Sequence, residues 1–368
     1  MSLLLDAEQT AEAVPDPAAP RARAARSTVA FAALSLTLVV VTLTSLSVGS
    51  ITVPVADTLR IITGGSGSDP RWDFIVMDLR LPRTLTALIV GAALGVAGLQ
   101  MQTLFRNALA DPYILGASSG ASLGVALVVM SAGTAGGFTA GLATMGRAGI
   151  VVAAALGAGL VLALILVLAR WVKSAVTLLL IGVMIGSATT AAVSVLLVYG
   201  DPQRTQQFLL WGMGSFTATT WSDLTFLAGA VAVGLVIATS SVRALNALLI
   251  GEGYARSMGI NLRIARLAML LSSAVLAGVT TAFCGPVGFL GLVVPHLARM
   301  TFATSDHRVL LPGVVLLGAS VAAMCGLASQ LPGTDTVLPL NAVTALVGAP
   351  VVIAVLVRSR RGALGAAL

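Results

Sequence analysis

Of 368 residues, 57% are hydrophobic and only 10% are charged. A soluble domain carries about 25% charged residues, so this chain cannot cover itself with a water-facing surface. A span needs roughly 20 apolar residues, which leaves room for about ten spans in one membrane domain. The net charge of +7 is almost all arginine, with Lys173 the single lysine. No basic stripe or interleaved aromatic set accompanies it, so no nucleic-acid partner is expected. Arginine-bearing cytoplasmic loops that orient a membrane protein account for the charge.

Residues 1–26 are rich in Ala, Pro, Asp and Glu and end on Arg21, Arg23 and Arg26. The apolar run from Ser27 to Val48 exceeds the apolar core of a signal peptide. A first span behind a disordered cytoplasmic tail over 1–26 is therefore expected. Each charge at the centre of a span costs about 2.5–3.5 kcal/mol, so charge-free stretches mark the rest. They run 27–56, 84–105, 112–146, 148–169, 174–200, 205–222, 224–242, 267–298, 309–334 and 336–357. The stretch 205–222 holds Gln206, Gln207, Gly212 and Gly214 and reads as a short extracytoplasmic helix and turn. The stretch 267–298 contains Gly285-Pro286, which should break it in two. One subtraction and one addition predict an all-α polytopic domain of ten transmembrane helices over 27–361, with a short cytoplasmic tail over 362–368.

With the N-terminus inside, 15 of the 21 basic residues fall in inner segments and six, Arg60, Arg71, Arg80, Arg83, Arg147 and Arg204, in outer ones. The outer loops also carry Asp57, Asp69, Asp73, Asp78, Asp201, Asp223 and Asp335. The bias predicts both termini in the cytoplasm.

Three segments carry functional signal. Arg80-Leu-Pro-Arg83 leads into residues 91–124, where Gly91, Gly95 and Gly98 place small residues on one helical face for close packing. Between the second and third spans lie Phe105 to Pro112 and Gly116-Ala-Ser-Ser-Gly120. Irregular backbone at membrane depth is tolerated only inside protein or along a cavity, so this polar, Gly-rich turn reads either as a pathway gate or as an ordinary capped turn. The second segment, Leu248 to Asn261, has two glycine breaks and suits short helices lying against another protein, or a solvated loop. The third, Gly285 to Arg299 followed by Ser305 to Pro312, predicts a short, broken eighth helix; His296 there lacks a nearby carboxylate and reads as structural.

Together RLPR, LQMQTLFRNALADPYILGASSGASLG, GEGYARSMGI, GPVGFLGLVVPHLARM and DHRVLLP resemble the FecCD-type permeases of ABC importers, which take up iron–siderophores, haem and vitamin B12. The resemblance spans roughly residues 30 to 358. It implies a type II importer permease fold, a second permease subunit, separate ABC ATPase subunits and an extracytoplasmic substrate-binding protein, in the cytoplasmic membrane. It also implies that Arg80 and Arg83 meet carboxylates of the binding protein. The cytoplasmic gate would be built from Asn107, Leu109, Asp111 and Pro112 in the stretch to Leu115, with Ser174, Ala175, Val176 and Thr177 as its second part. The ATPase would seat on Gly251, Glu252, Ala255, Arg256 and Gly259. Ala108 replaces the family's usual proline. Cys325 to Gln330 and Val337 to Asn341 replace its Ala-Asp-x-x-Ala-Arg and Glu-Leu-Pro-x-Gly runs, so a docking arginine and two carboxylates are missing at that end.

The phosphate-binding loop needs Gly-Lys-Ser/Thr, and Lys173 follows Val172, so ATP hydrolysis must come from another subunit. An ion-coupled secondary transporter usually places Asp, Glu or His near the middle of a span; none is expected there. No nucleophile–base pair, metal-ligand cluster or CxxC motif points to an intramembrane enzyme, a metal or a cofactor, and Cys284 and Cys325 fall in apolar stretches. An apolar pathway without fixed charge suits a bulky chelate. Ferric siderophore is the first expectation, as the family's largest substrate group, with haem and cobalamin as alternatives.

Overall fold

The computed structural model of the chain describes residues 18–131, 137–172, 174–331 and 337–365. Among the described residues there are helices and connecting turns but no strand. Helix α1 (Ala18–Ser47) is followed by a small cap of α2 (Val55–Ile62) and α3 (Pro70–Phe74). α3 continues through a π-helical turn, Ile75–Arg80, into α4 (Leu81–Leu104). After a 3-10 turn at Pro112–Leu115 come α5 (Ala117–Ser131), α6 (Phe138–Thr144), α7 (Arg147–Leu168) and α8 (Ala175–Val198). The second half holds α9 (Pro202–Gly212), α10 (Trp221–Ser240), α11 (Val242–Ile250), α12 (Glu252–Ser257) and α13 (Leu262–Cys284). It ends with α14 (Leu290–Phe302), α15 (His307–Ser329) and α16 (Leu340–Gly365).

Among the described residues, seven helical runs are long and apolar enough to cross a membrane: Ala25–Ser47, Pro70–Leu104, α7, Val176–Val198, α10, α13 and α15. Three shorter apolar helices accompany them, α5, α14 and Leu340–Ala354. Ten spans are expected; among the described residues seven helices are long enough to cross, and ten is reached only by counting the three shorter apolar helices with them. Gly285-Pro286 ends α13 and separates it from the 13-residue α14, which contains Pro295. The stretch 205–222 contributes α9 and a turn at Gly214, where φ is 71°.

In its most apolar 18 residues the run Pro70–Leu104 is 83% buried, whereas the matching stretch of Val176–Val198 is 11% buried; α4 is therefore the hub and α8 presents a bare face. Glycine makes the hub possible. Gly91 and Gly318 of α15 touch backbone to backbone, Gly95 faces Val314 and Val294, and Gly98 meets the Gly291 carbonyl of α14. A methyl group on Gly91 or Gly98 would overlap backbone atoms. Between lipid-like helices packing relies on such close approach.

The bundle has two ends. The lower one gathers the C-termini of α4 and α14 and the starts of α13 and α15, with the segments between α7 and α8 and between α10 and α13. Bonds across it run from Arg263 to the Arg170 carbonyl, from Asn246 to Asp306 and from Arg26 to the Met300 carbonyl. The upper end carries Arg60, Arg71, Arg80, Arg147 and Arg204; there Arg147 pairs with Asp223 at 2.5 Å, tying the starts of α7 and α10.

Three expectations change. α1 begins at Ala18, so residues 18–26 extend a helix rather than a disordered tail, and α16 likewise runs on to Gly365; residues 1–17 and 366–368, with Lys173 and Asp335, lie outside the described residues. The stretch 112–146 is not one helix, because Gly116 adopts φ 74° and α6 is separate from α5. The second span starts from Pro70 instead of residue 84, which puts Arg80 and Arg83 within a helical run.

Candidate gate and coupling site

After α4 the chain reverses direction in seven residues. Arg106 adopts φ 46°, and the Asn107 side chain accepts the Leu109 N–H at 2.9 Å while its carbonyl accepts that of Ala110. Asp111 then caps the 3-10 turn by accepting the Tyr113 N–H at 2.8 Å. These local bonds satisfy backbone groups that no helix or sheet serves. Asn107 and Leu109 are exposed, while Ala110 and Pro112 are buried. Pro112 packs on Gly291, and Gly116 lies against Val161 of α7. The turn therefore folds back into the bundle from the lower end and starts α5 well inside it.

A second irregular segment meets it there. The Val287 N–H donates to the Tyr113 hydroxyl at 3.2 Å, joining residues 285–289 to the 3-10 turn. From the other side Asn341, in the first turn of α16, accepts the Gly288 N–H and donates to the Pro286 and Gly212 carbonyls. His296 of α14 donates through Nε2 to the Ala108 carbonyl at 2.8 Å, the structural role expected of it. Arg299 donates to Gln102, whose amide donates to the Leu292 carbonyl. Two interrupted stretches of chain are thus held against one another by side chains from α4, α14 and α16.

Ser174 caps α8, accepting the Thr177 N–H at 3.3 Å. Val176 and Thr177 are exposed beside it, and Ala175 is the first helical residue. Ser174 lines one cavity with Phe105, two residues before Asn107.

The segment from 248 to 261 forms the short helix α12 between two glycine breaks, Gly251 at φ 149° and Gly259 at φ 77°. Ala255 is fully buried, and Glu252 pairs with Arg266 at 2.6 Å and Arg256 at 3.6 Å. Ile250, Tyr254 and Met258 are exposed. Besides the Glu252–Arg266 pair with α13, two links tie α11 and this segment to the bundle. Arg106 donates to the Leu248 carbonyl at 3.2 Å. Asn246 donates to Asp306 at 2.6 Å and accepts both the backbone N–H and the Nδ1–H of His307. Burial raises the Asp306 carboxyl, but hydrogen bonds from Arg308 and Asn246 together with the charges of Arg308 and His307 hold it below its ordinary value.

At the upper end Arg80 departs from expectation. It is 6% exposed, and its guanidinium donates to the carbonyls of Leu46, Ser47 and Ile51. A buried guanidinium is tolerated only when its donors are satisfied; these bonds clamp the end of α1 and the residues just after it onto the start of the second span. The side chain of Arg83, half-buried, makes no hydrogen bond or ion pair with another described residue.

Residues 37–358 match the FecCD transport family. The chain belongs to the FecCD transport family. It is accordingly an ABC-importer permease, and its fold agrees: a solved structure described as an inward-facing conformation of a metal-chelate type ABC transporter superposes with a TM-score of 0.74 at 30% identity, covering 90% of this chain and 99% of that one. The hemin transport system permease protein HmuU of Yersinia pestis is 37% identical over 89% of this chain and 95% of its own length. The vitamin B12 import system permease protein BtuC of Escherichia coli O9:H4 (strain HS) is 36% identical over 82% of this chain and 89% of its own.

Within this FecCD permease, sequence reasoning passed over Arg106, Tyr113, Asn246 and Asn341 as site residues. Tyr113 and Arg106 lay inside a quoted motif, but their roles depend on where the turn folds. Asn246 carries no local signal at all. Asn341 was visible only as a departure from the family's pattern.

Proposed function

We propose that this chain is the membrane-spanning subunit that passes a bulky metal chelate, in first place a ferric siderophore, into the cytoplasm. The observation that carries the reading is the Arg106–Leu248 bond, which ties the re-entrant turn directly to α11–α12. The lower end, richer in arginine, faces the cytoplasm, with both termini there. The exposed Ile250, Tyr254 and Met258 offer an apolar seat for a separate ATPase. The bare face of α8 suits a second permease subunit across a shared pathway, with Asn107 to Leu115 and Ser174 to Thr177 as its gate. A binding protein docks at the upper end, where the Arg83 side chain has no hydrogen-bond or ion-pair partner among the described residues. ATP binding shifts the equilibrium between outward and inward states only through differential contacts with each, and α12 is where those contacts reach the bundle.

A second reading, haem as cargo, is favoured by the 37% identity to a hemin permease. Proteoliposomes holding the permease, its ATPase and its binding protein, supplied with labelled ferric siderophore, haem or cobalamin, test both. ATP-dependent uptake of the siderophore is expected. Uptake of haem alone selects the second reading, and uptake of neither iron chelate overturns both.

A further inference from the structure

The cavity bordered by Phe105 and Ser174 measures about 360 Å³ and lies at the lower end between α4, the α7–α8 connection and the first turns of α13. Its walls are apolar, with Leu178, Leu267 and Leu270 among them, yet three arginines, Arg170, Arg263 and Arg266, stand around it. Arg266 is paired with Glu252. Arg263 uses one amine on the Arg170 carbonyl, and both Arg170 and Arg263 are exposed. Neither forms an ion pair among the described residues. Trp171, strongly exposed next to Arg170, is the residue type that settles at a membrane–water interface.

A second cavity, of about 400 Å³, continues along the same two helices. It runs between α7, at Leu166, Ala163 and Gly159, and α13, at Leu271, Ala274 and Gly278. Leu267 and Leu270 of the first cavity and Leu271 and Ala274 of the second are one turn apart on the same face of α13. Ala169 and Leu166 relate the two in the same way on α7. The result is an arginine-rimmed pocket at the lower end of the bundle, with an apolar furrow following it along α7 and α13.

We infer that this pocket and furrow form a binding site for an anionic phospholipid, its phosphate between Arg170 and Arg263 and an acyl chain between α7 and α13. The charge fits only an anion, and the furrow fits a hydrocarbon chain rather than a free ion. Leu178 faces the pocket while Val176 and Thr177 face away. The lipid therefore sits behind the start of α8, on the side opposite its bare face.

Native mass spectrometry of the permease–ATPase complex tests this, with added dioleoylphosphatidylglycerol or dioleoylphosphatidylcholine as probes. Phosphatidylglycerol should be retained in preference. Arg170→Gln or Arg263→Gln should each lower its retention about fivefold and the pair roughly 25-fold, from the usual strength of an arginine at an anionic surface. Lysine at either position should restore most of it, which separates loss of charge from misfolding. Gly159→Leu, placed where no atom lies within 4 Å, should lower retention of the same lipid by filling the furrow. Equal retention of both lipids, or an unchanged double glutamine variant, overturns the site. A furrow sealed by a second permease subunit would leave Gly159→Leu without effect and overturn it as well.

Discussion

The carboxamide of Asn341 accepts the Gly288 N–H at 2.8 Å and donates to the Pro286 carbonyl at 2.7 Å. Residues 285–289 interrupt the helical path between α13 and α14, and backbone groups there find no helical partner. One side chain with both a donor and an acceptor meets that need. The same amide donates to the Gly212 carbonyl at 3.1 Å, so the break, α9 and the start of α16 share one anchor. Where related permeases have a glycine by the resemblance of the Val337 to Asn341 run, this chain has a brace.

Asn341→Ala should therefore lower stability by about 1–3 kcal/mol, since three part-buried bonds go and their backbone partners are left without replacements. Asn341→Asp should do nearly as badly, because a carboxylate cannot donate to the Pro286 and Gly212 carbonyls. Thermal melts of the purified permease, followed by tryptophan fluorescence, measure both. A melt within a degree or so of wild type for either variant would show that the anchor is dispensable.

The two outer arginines should separate cleanly. Arg80→Gln removes donors from three carbonyls at the end of α1 and should reduce yield and melting temperature whether or not a binding protein is present. Arg83→Glu should leave the melt near wild type and weaken binding-protein affinity roughly tenfold, an effect that fades at high salt. Titration of the binding protein onto reconstituted permease at two ionic strengths decides it. Loss of affinity with Arg80→Gln but not with Arg83→Glu would reverse the assignment.

The helices were legible because their signals are local. Charge-free runs, the Gly285-Pro286 break and the Gly91, Gly95 and Gly98 face each follow from residues within a few turns of one another. What was not legible is where a polar side chain goes once the helices are packed. Arg80 stands four residues before the long apolar stretch and reads as a surface cation. It is buried because the π-helical turn at Ile75–Arg80 and the end of α1 converge on it, and no motif encodes that convergence. The gate turn was visible as irregular backbone, but its depth within the bundle depends on Pro112 reaching Gly291, some 180 residues away in the chain.

Arg106 links the gate turn to α11 through the Leu248 carbonyl, and no other side-chain bond joins those two segments among the described residues. If this link transmits movement, Arg106→Ala should lower ATP-dependent uptake roughly five- to tenfold, the size of coupling free energies of about 1–1.4 kcal/mol. ATP hydrolysis by the same proteoliposomes should stay within about twofold of wild type. Parallel loss of hydrolysis would mean that Arg106 supports the ATPase seat itself, and unchanged uptake would remove it from the coupling path.

Asp306 supplies the second link, and its pH dependence has a defined sign. The carboxylate accepts from the Arg308 N–H at 2.9 Å and from Asn246 at 2.6 Å, which lowers its folded-state value below the model-compound value of 3.8. A lowered carboxyl contributes stability that is present above the unfolded value and lost as pH falls through the folded one. Asp306→Ala should cost about 1–2 kcal/mol at neutral pH, through the helix cap and the bond to Asn246. The gap in melting temperature between wild type and variant should hold steady from pH 8 to about 5 and shrink as pH falls below the ordinary carboxyl value toward the lowered folded one. A gap that instead widens on acidification would mean that the carboxylate is a burden in the folded state, and that the α11–α15 tie rests on Asn246 and His307 alone.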